Sequence, residues 1–159
     1  MKKTLVALML AMLPLAAPAQ TNPEFADLND TIEMVRSVAA LERRNVLRAN
    51  LGLTMEESAE FWPIYDEYDI DKKRINDRLV KIITDYAAEQ ENLSDKLAKS
   101  MVDDWFKVQN DLLKLKKSYL RKFRRVLEPK TVMRFYQIDN KLDVIANVRL
   151  AQGIPLVEN

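Results

Sequence analysis

The chain of 159 residues has no cysteine, no histidine and only two glycines. Without cysteine there is no disulfide, no thiolate nucleophile and no thiolate metal site. Without histidine the commonest general base and the commonest zinc ligand are both missing. Two glycines leave few places for sharp turns, so the elements must be few and long. Neither sign of charge dominates, with 25 basic against 24 acidic residues, so bulk charge does not draw this chain to a polyanion such as a nucleic acid. What remains is a hydrophobic content of 48%, enough for a protein held together by apolar packing alone.

The first residues run from Lys2-Lys3 through an apolar stretch, Leu5 to Leu13, to Pro14 and the small residues Ala16-Ala17-Pro18-Ala19. This is the order of a secretory signal peptide, with Ala17-Pro18-Ala19 as its cleavage site. The apolar stretch is shorter than the roughly 20 residues that a membrane span needs. Removal of residues 1–19 takes the basic count from 25 to 23 against 24 acids, a net charge of −1. The expected location is therefore the periplasm. The remaining chain divides into a lead-in over 20–30, one helical domain over 31–152 and a C-terminal tail over 153–159.

Hydrophobic periodicity predicts an all-α fold of four long helices. Ile32, Val35, Val38, Leu41, Val46 and Leu47 place the first between about Asp30 and Asn50, with Gly52 where a helix C-terminus calls for a left-handed residue. Thr54-Met55-Glu56-Glu57 has the form of a capping box and opens the second. Its stripe, Phe61, Tyr65, Tyr68, Ile75, Leu79, Ile82 and Tyr86, is interrupted near Lys72, and Pro63 predicts a kink, not a stop. Ser94 caps a third helix whose stripe is Leu97, Met101, Trp105, Val108, Leu112, Leu115, Tyr119, Phe123 and Val126. Pro129 suits the first position of a fourth, with Val132, Phe135, Ile138, Leu142 and Ile145, ending near Gly153. Helices so long and so continuously striped carry more apolar surface than one thin layer covers, which points to a homodimer.

A shift of 74 positions superimposes Leu53 on Leu127, Phe61 on Phe135, Trp62 on Tyr136, Ile64 on Ile138 and Tyr68 on Leu142. The chain here resembles the Spy/CpxP-like periplasmic proteins, whose mark is a pair of LTxxQ motifs, each starting a helix. The copies read Leu53-Thr54-Met55-Glu56-Glu57 and Leu127-Glu128-Pro129-Lys130-Thr131. Glu57 stands where glutamine is expected, and Glu128 and Thr131 replace threonine and glutamine in the second copy. The resemblance implies an elongated, bent, cradle-like dimer belonging to the envelope stress response. Members of that family bind unfolded proteins without ATP, restrain an envelope-stress sensor, or bind zinc; the missing histidine and cysteine exclude the last.

Three surface features suggest function. Lys114, Lys116, Lys117, Arg121, Lys122, Arg124 and Arg125 follow one another without an acid, and all but Lys116 lie opposite the apolar stripe. They read as a client-attracting face, or as a solvated face whose cations complement the helix dipole. Phe61, Trp62, Tyr65 and Tyr68 read as core packing, with Trp62 pointing elsewhere and available to a client. Asp66, Glu67, Asp69 and Asp71 read as a solvated acidic face, because no glycine turn gathers them around a cation. The expectation is a protein with no catalytic residues, no metal and no cofactor. Its partners would be unfolded or partly folded polypeptides and a second copy of itself, with no nucleic-acid or membrane partner. Two other roles stay open: an adaptor for one stress sensor, and a structural helical assembly module.

Overall fold

The computed structural model describes Met34 and residues 43–157. The signal peptide, the lead-in and most of the first predicted helix lie outside the described residues. The described part is all-α, with no strand among these residues. Helix α1 covers 43–51; α2 is Met55–Glu89, α3 is Asp95–Val126 and α4 is Pro129–Gln152, with a 3-10 turn at Gln90–Asn92 between α2 and α3.

The helix boundaries follow the local chemistry. Gly52, at φ 65°, supplies the left-handed residue after α1, a conformation cheap only without a β-carbon. Thr54 Oγ1 accepts from the Glu57 amide while Glu57 Oε2 accepts from the Thr54 amide, closing the capping box. Helix α2 runs unbroken past Pro63, which lies two turns in. Ser94 caps α3 by accepting from the Leu97 amide at 3.3 Å. The second motif behaves differently from the first: Glu128 makes no side-chain cap, so neither it nor Thr131 reproduces the capping box. Its helix starts instead on Pro129, which has no amide proton to satisfy and a φ already set for the helix.

The core gathers where the two motifs meet. Phe61, Tyr65, Tyr68, Tyr119, Phe123 and Phe135 are buried together, sealed on one side by Leu47 and Leu51 of α1. Phe61 and Phe135, equivalent under the 74-residue shift, sit 5.7 Å apart edge-to-face, and Phe123 lies 4.6 Å from Phe135. Such ring pairs add about 0.5–1.5 kcal/mol each beyond the area they bury. We call this the proximal end. At the distal end, where α2 turns into α3, the second cluster centres on Ile83 with Leu79, Tyr86, Leu150 and Ile154 against it. The buried position there is Ile83, one residue on from the predicted Ile82. Residues after Gly153 also return to the body: Ile154 packs on this cluster and Tyr86 donates to the Pro155 carbonyl at 3.2 Å.

Candidate functional site

Lys72, which interrupts the stripe of α2 in sequence, is buried on that stripe, and its counterpart is Asp139 on the buried stripe of α4. Asp139 is fully buried. Its Oδ1 accepts from Arg43 at 2.5 Å and from Lys72 at 2.8 Å, and its Oδ2 accepts from the Tyr68 hydroxyl at 2.9 Å. One turn on, Asp143 accepts from Arg43 at 2.8 Å, Lys72 at 2.7 Å and Lys116 at 2.9 Å. Three cations and two carboxylates thus join all four helices.

Burial alone would raise the pKa of Asp143, but the charges of Lys72 and Arg43 outweigh it and hold the carboxyl below its ordinary value. Burial would likewise discharge Arg43, and Asp143 and Asp139 overcome that and keep it charged. Burial, reinforced by Asp139, pushes the Tyr68 phenol far up, and burial also takes Tyr136 to about 12. Both phenols are therefore neutral donors, Tyr136 to the Lys116 carbonyl at 2.8 Å. The carboxylates are taken up by their own cations, so the cluster is built to hold helices together.

The predicted basic face is divided by the structure. Lys122 donates to Glu67 at 2.7 Å and lies over the Tyr119 ring, and Lys114 is paired with Asp111 at 3.4 Å. Lys116 belongs to the buried cluster. Lys117, Arg121, Arg124 and Arg125 are exposed, and no ion pair joins them to an acid among the described residues. Trp62 is partly buried against the proximal core. Arg44 stacks on it at 4.5 Å, Arg48 lies at 5.5 Å, and its indole nitrogen donates to Ser58 at 2.9 Å. The acids Asp66, Glu67 and Asp71 are held by Arg44, by Lys122 and by Arg74 with Tyr119.

An open apolar surface lies where the stripe of α3 predicts core. Trp105 is 42% exposed and Phe106 61%, stacked edge-to-face at 4.8 Å. With Ile83, Tyr86, Met101 and Ile154 they line an open groove of about 450 Å³ whose walls are apolar throughout. A smaller groove at the proximal end runs between Leu120, Val132, Met133 and Tyr136, with Arg124 on its wall. Among the described residues no helix is long and apolar enough to cross a membrane, and no group of acids is arranged to hold a metal ion. Comparison with known protein families, with characterised proteins and with solved structures finds no match to this chain.

Proposed function

We propose that this protein is an ATP-independent holdase of the periplasm, which binds aggregation-prone polypeptides by weak, reversible contacts. The observation that carries this reading is the open groove of the distal end, with Trp105 and Phe106 exposed in a wholly apolar wall. Monomeric proteins leave such contiguous patches open chiefly where something binds. Burying one large apolar side chain contributes about 1.5–3 kcal/mol, a strength suited to rapid capture and release. The exposed cations Lys117, Arg121, Arg124 and Arg125 add long-range attraction for acidic chains, which speeds encounter more than it tightens binding. The signal-peptide order of residues 1–19 and the resemblance to the Spy/CpxP-like proteins support the same reading.

The test uses residues 20–159 and the light scattering of several unrelated aggregating proteins at low and high salt. An inert protein of similar charge serves as control. The expected result is broad suppression at near-stoichiometric ratios, reduced by Trp105→Ala and by salt. Suppression of none of the clients, together with saturable binding to a single envelope protein, would replace the holdase with a dedicated adaptor.

A further inference from the structure

The residues that follow α4 are apolar, uncharged and barred from continuing the helix. Gly153 ends it, its amide donating to the Leu150 carbonyl at 3.1 Å. Pro155 has no amide to offer a further turn and keeps Ile154 out of helical angles. Ile154-Pro155-Leu156-Val157 therefore leaves α4 as an irregular, extended segment, with none of its four residues in a helix.

This segment lies against the distal groove. Ile154 packs on the Ile83 cluster, Ile154 and Val157 share the groove's lining with Trp105 and Phe106, and the Pro155 carbonyl accepts from the Tyr86 hydroxyl at 3.2 Å. The seating is light. Leu156 is 88% exposed and Val157 60%, so one aliphatic side chain and one backbone carbonyl carry most of the contact. Neither contact is particular to this sequence: every peptide offers backbone carbonyls, and any branched aliphatic side chain can lie on Ile83.

An extended apolar stretch is also what an unfolded chain presents. We propose that residues 154–157 are an internal, displaceable occupant of the distal groove, which competes with the extended apolar segment of another polypeptide for Ile83 and the Tyr86 hydroxyl. Tethered to α4, the segment is held at an effective concentration on the order of millimolar. It reseats when a bound chain leaves, and it lowers the apparent affinity for that chain according to the fraction of molecules whose groove is vacated. Its few buried contacts put its release at the low end of local opening costs. The inference rests on the holdase reading for the identity of the displacing chain. Its test is separate, because displacement is read with a short peptide and without aggregation.

The chain has two tryptophans, and their indole N–H signals in a nitrogen–proton correlation spectrum report Trp105 in the groove and Trp62 beside the proximal core. Residues 20–159 are titrated with the acetylated, amidated peptide Gly-Ile-Pro-Leu-Val, which copies positions 153–157. The Trp105 signal should shift and the Trp62 signal should not; the same peptide with aspartate for isoleucine should move neither. A chain ending at Gly153 should bind the peptide about tenfold tighter than the parent. Ile154→Asp, with the segment still present, should come within about twofold of that shortened chain and keep the parent's helical circular dichroism. Tyr86→Phe distinguishes competition from general loosening. In the shortened chain it should weaken peptide binding about fivefold, the loss of one hydrogen bond. In the parent the apparent affinity should change by less than about twofold, because segment and peptide lose the same bond. Binding to the shortened chain that is equal to the parent's or weaker overturns the inference and makes the segment a fixed wall. So does a peptide that moves Trp62 as much as Trp105, or moves neither. Displacement with these affinities, beside a failure of both chains to suppress aggregation, would uphold the inference and strike the holdase reading alone.

Discussion

The two ends of the helical body are built on opposite plans. At the proximal end six aromatic side chains and two leucines of α1 close on one another, with an ion cluster beneath them. At the distal end Ile83 alone is buried in its cluster, Phe106 and Val102 stay more than half exposed, and Trp105 is 42% exposed. The same two helices, α2 and α3, run through both ends, so the difference lies in what α1 and α4 bring. The described part of α1 covers the proximal end alone, and α4 reaches the distal end with Leu150 and the residues after Gly153. Burial is concentrated where four helices meet, and apolar surface stays open where they do not. Amide protons of α2 should accordingly exchange more slowly from Phe61 to Lys72 than from Ile83 to Glu89.

The largest expected effect breaks the proximal end at its ions. Asp139→Ala leaves Arg43 and Lys72 buried beside a single remaining carboxylate and Tyr68 without its acceptor, and should cost about 3–5 kcal/mol in urea unfolding. A cost near that of a surface substitution would mean that the cluster is not what closes this end. Asp143→Asn should cost about 1.5–3 kcal/mol at neutral pH, with a pH dependence of definite sign. The Asp143 carboxyl titrates below its ordinary value of 3.8, so its stabilisation is complete above that value and is lost as pH falls through the lower, folded one. The gap between parent and variant should therefore narrow on acidification below about pH 4. A gap independent of pH down to 2 would assign the effect to packing.

Smaller effects separate the two helix starts. Thr54→Ala should cost about 1 kcal/mol because it removes a formed cap, whereas Glu128→Ala should change stability by less than about 0.5 kcal/mol. Equal losses would contradict the different capping of the two motifs. A small effect on stability is expected at the distal end too. Trp105→Ala should move the unfolding midpoint by less than about 1 kcal/mol yet abolish most of the suppression of client aggregation. A large loss of stability would make Trp105 part of the fold and not of the site.

Much of the fold was legible because helix ends are local. Gly52, the Thr54–Glu57 box, Ser94 and Pro129 each act within four residues, and each stands where its chemistry places it. The buried rings Phe61, Tyr65 and Tyr68 followed from spacing alone. Trp105 did not, since a stripe says which face is apolar and not whether a neighbour exists to cover it. Two of the predicted client-binding cations, Lys114 and Lys122, are paired with acids of their own chain, one of them 55 residues away. The ion cluster was missed because Arg43 and Asp139 are 96 residues apart. A trace of it was nonetheless present: Lys72 and Asp139 are opposite charges, each on the apolar stripe of its helix.

Sealing a carboxylate under three cations also shapes how the sequence can change. Asp139 replaced alone leaves Arg43 and Lys72 buried with unmatched charge, and a loss of about 3–5 kcal/mol is a large share of the 5–15 kcal/mol that domains possess. Arg43, Lys72 and Asp139 should therefore change together and not one at a time. A descendant chain in which Asp139 has become apolar should be one in which Lys72 has become apolar as well.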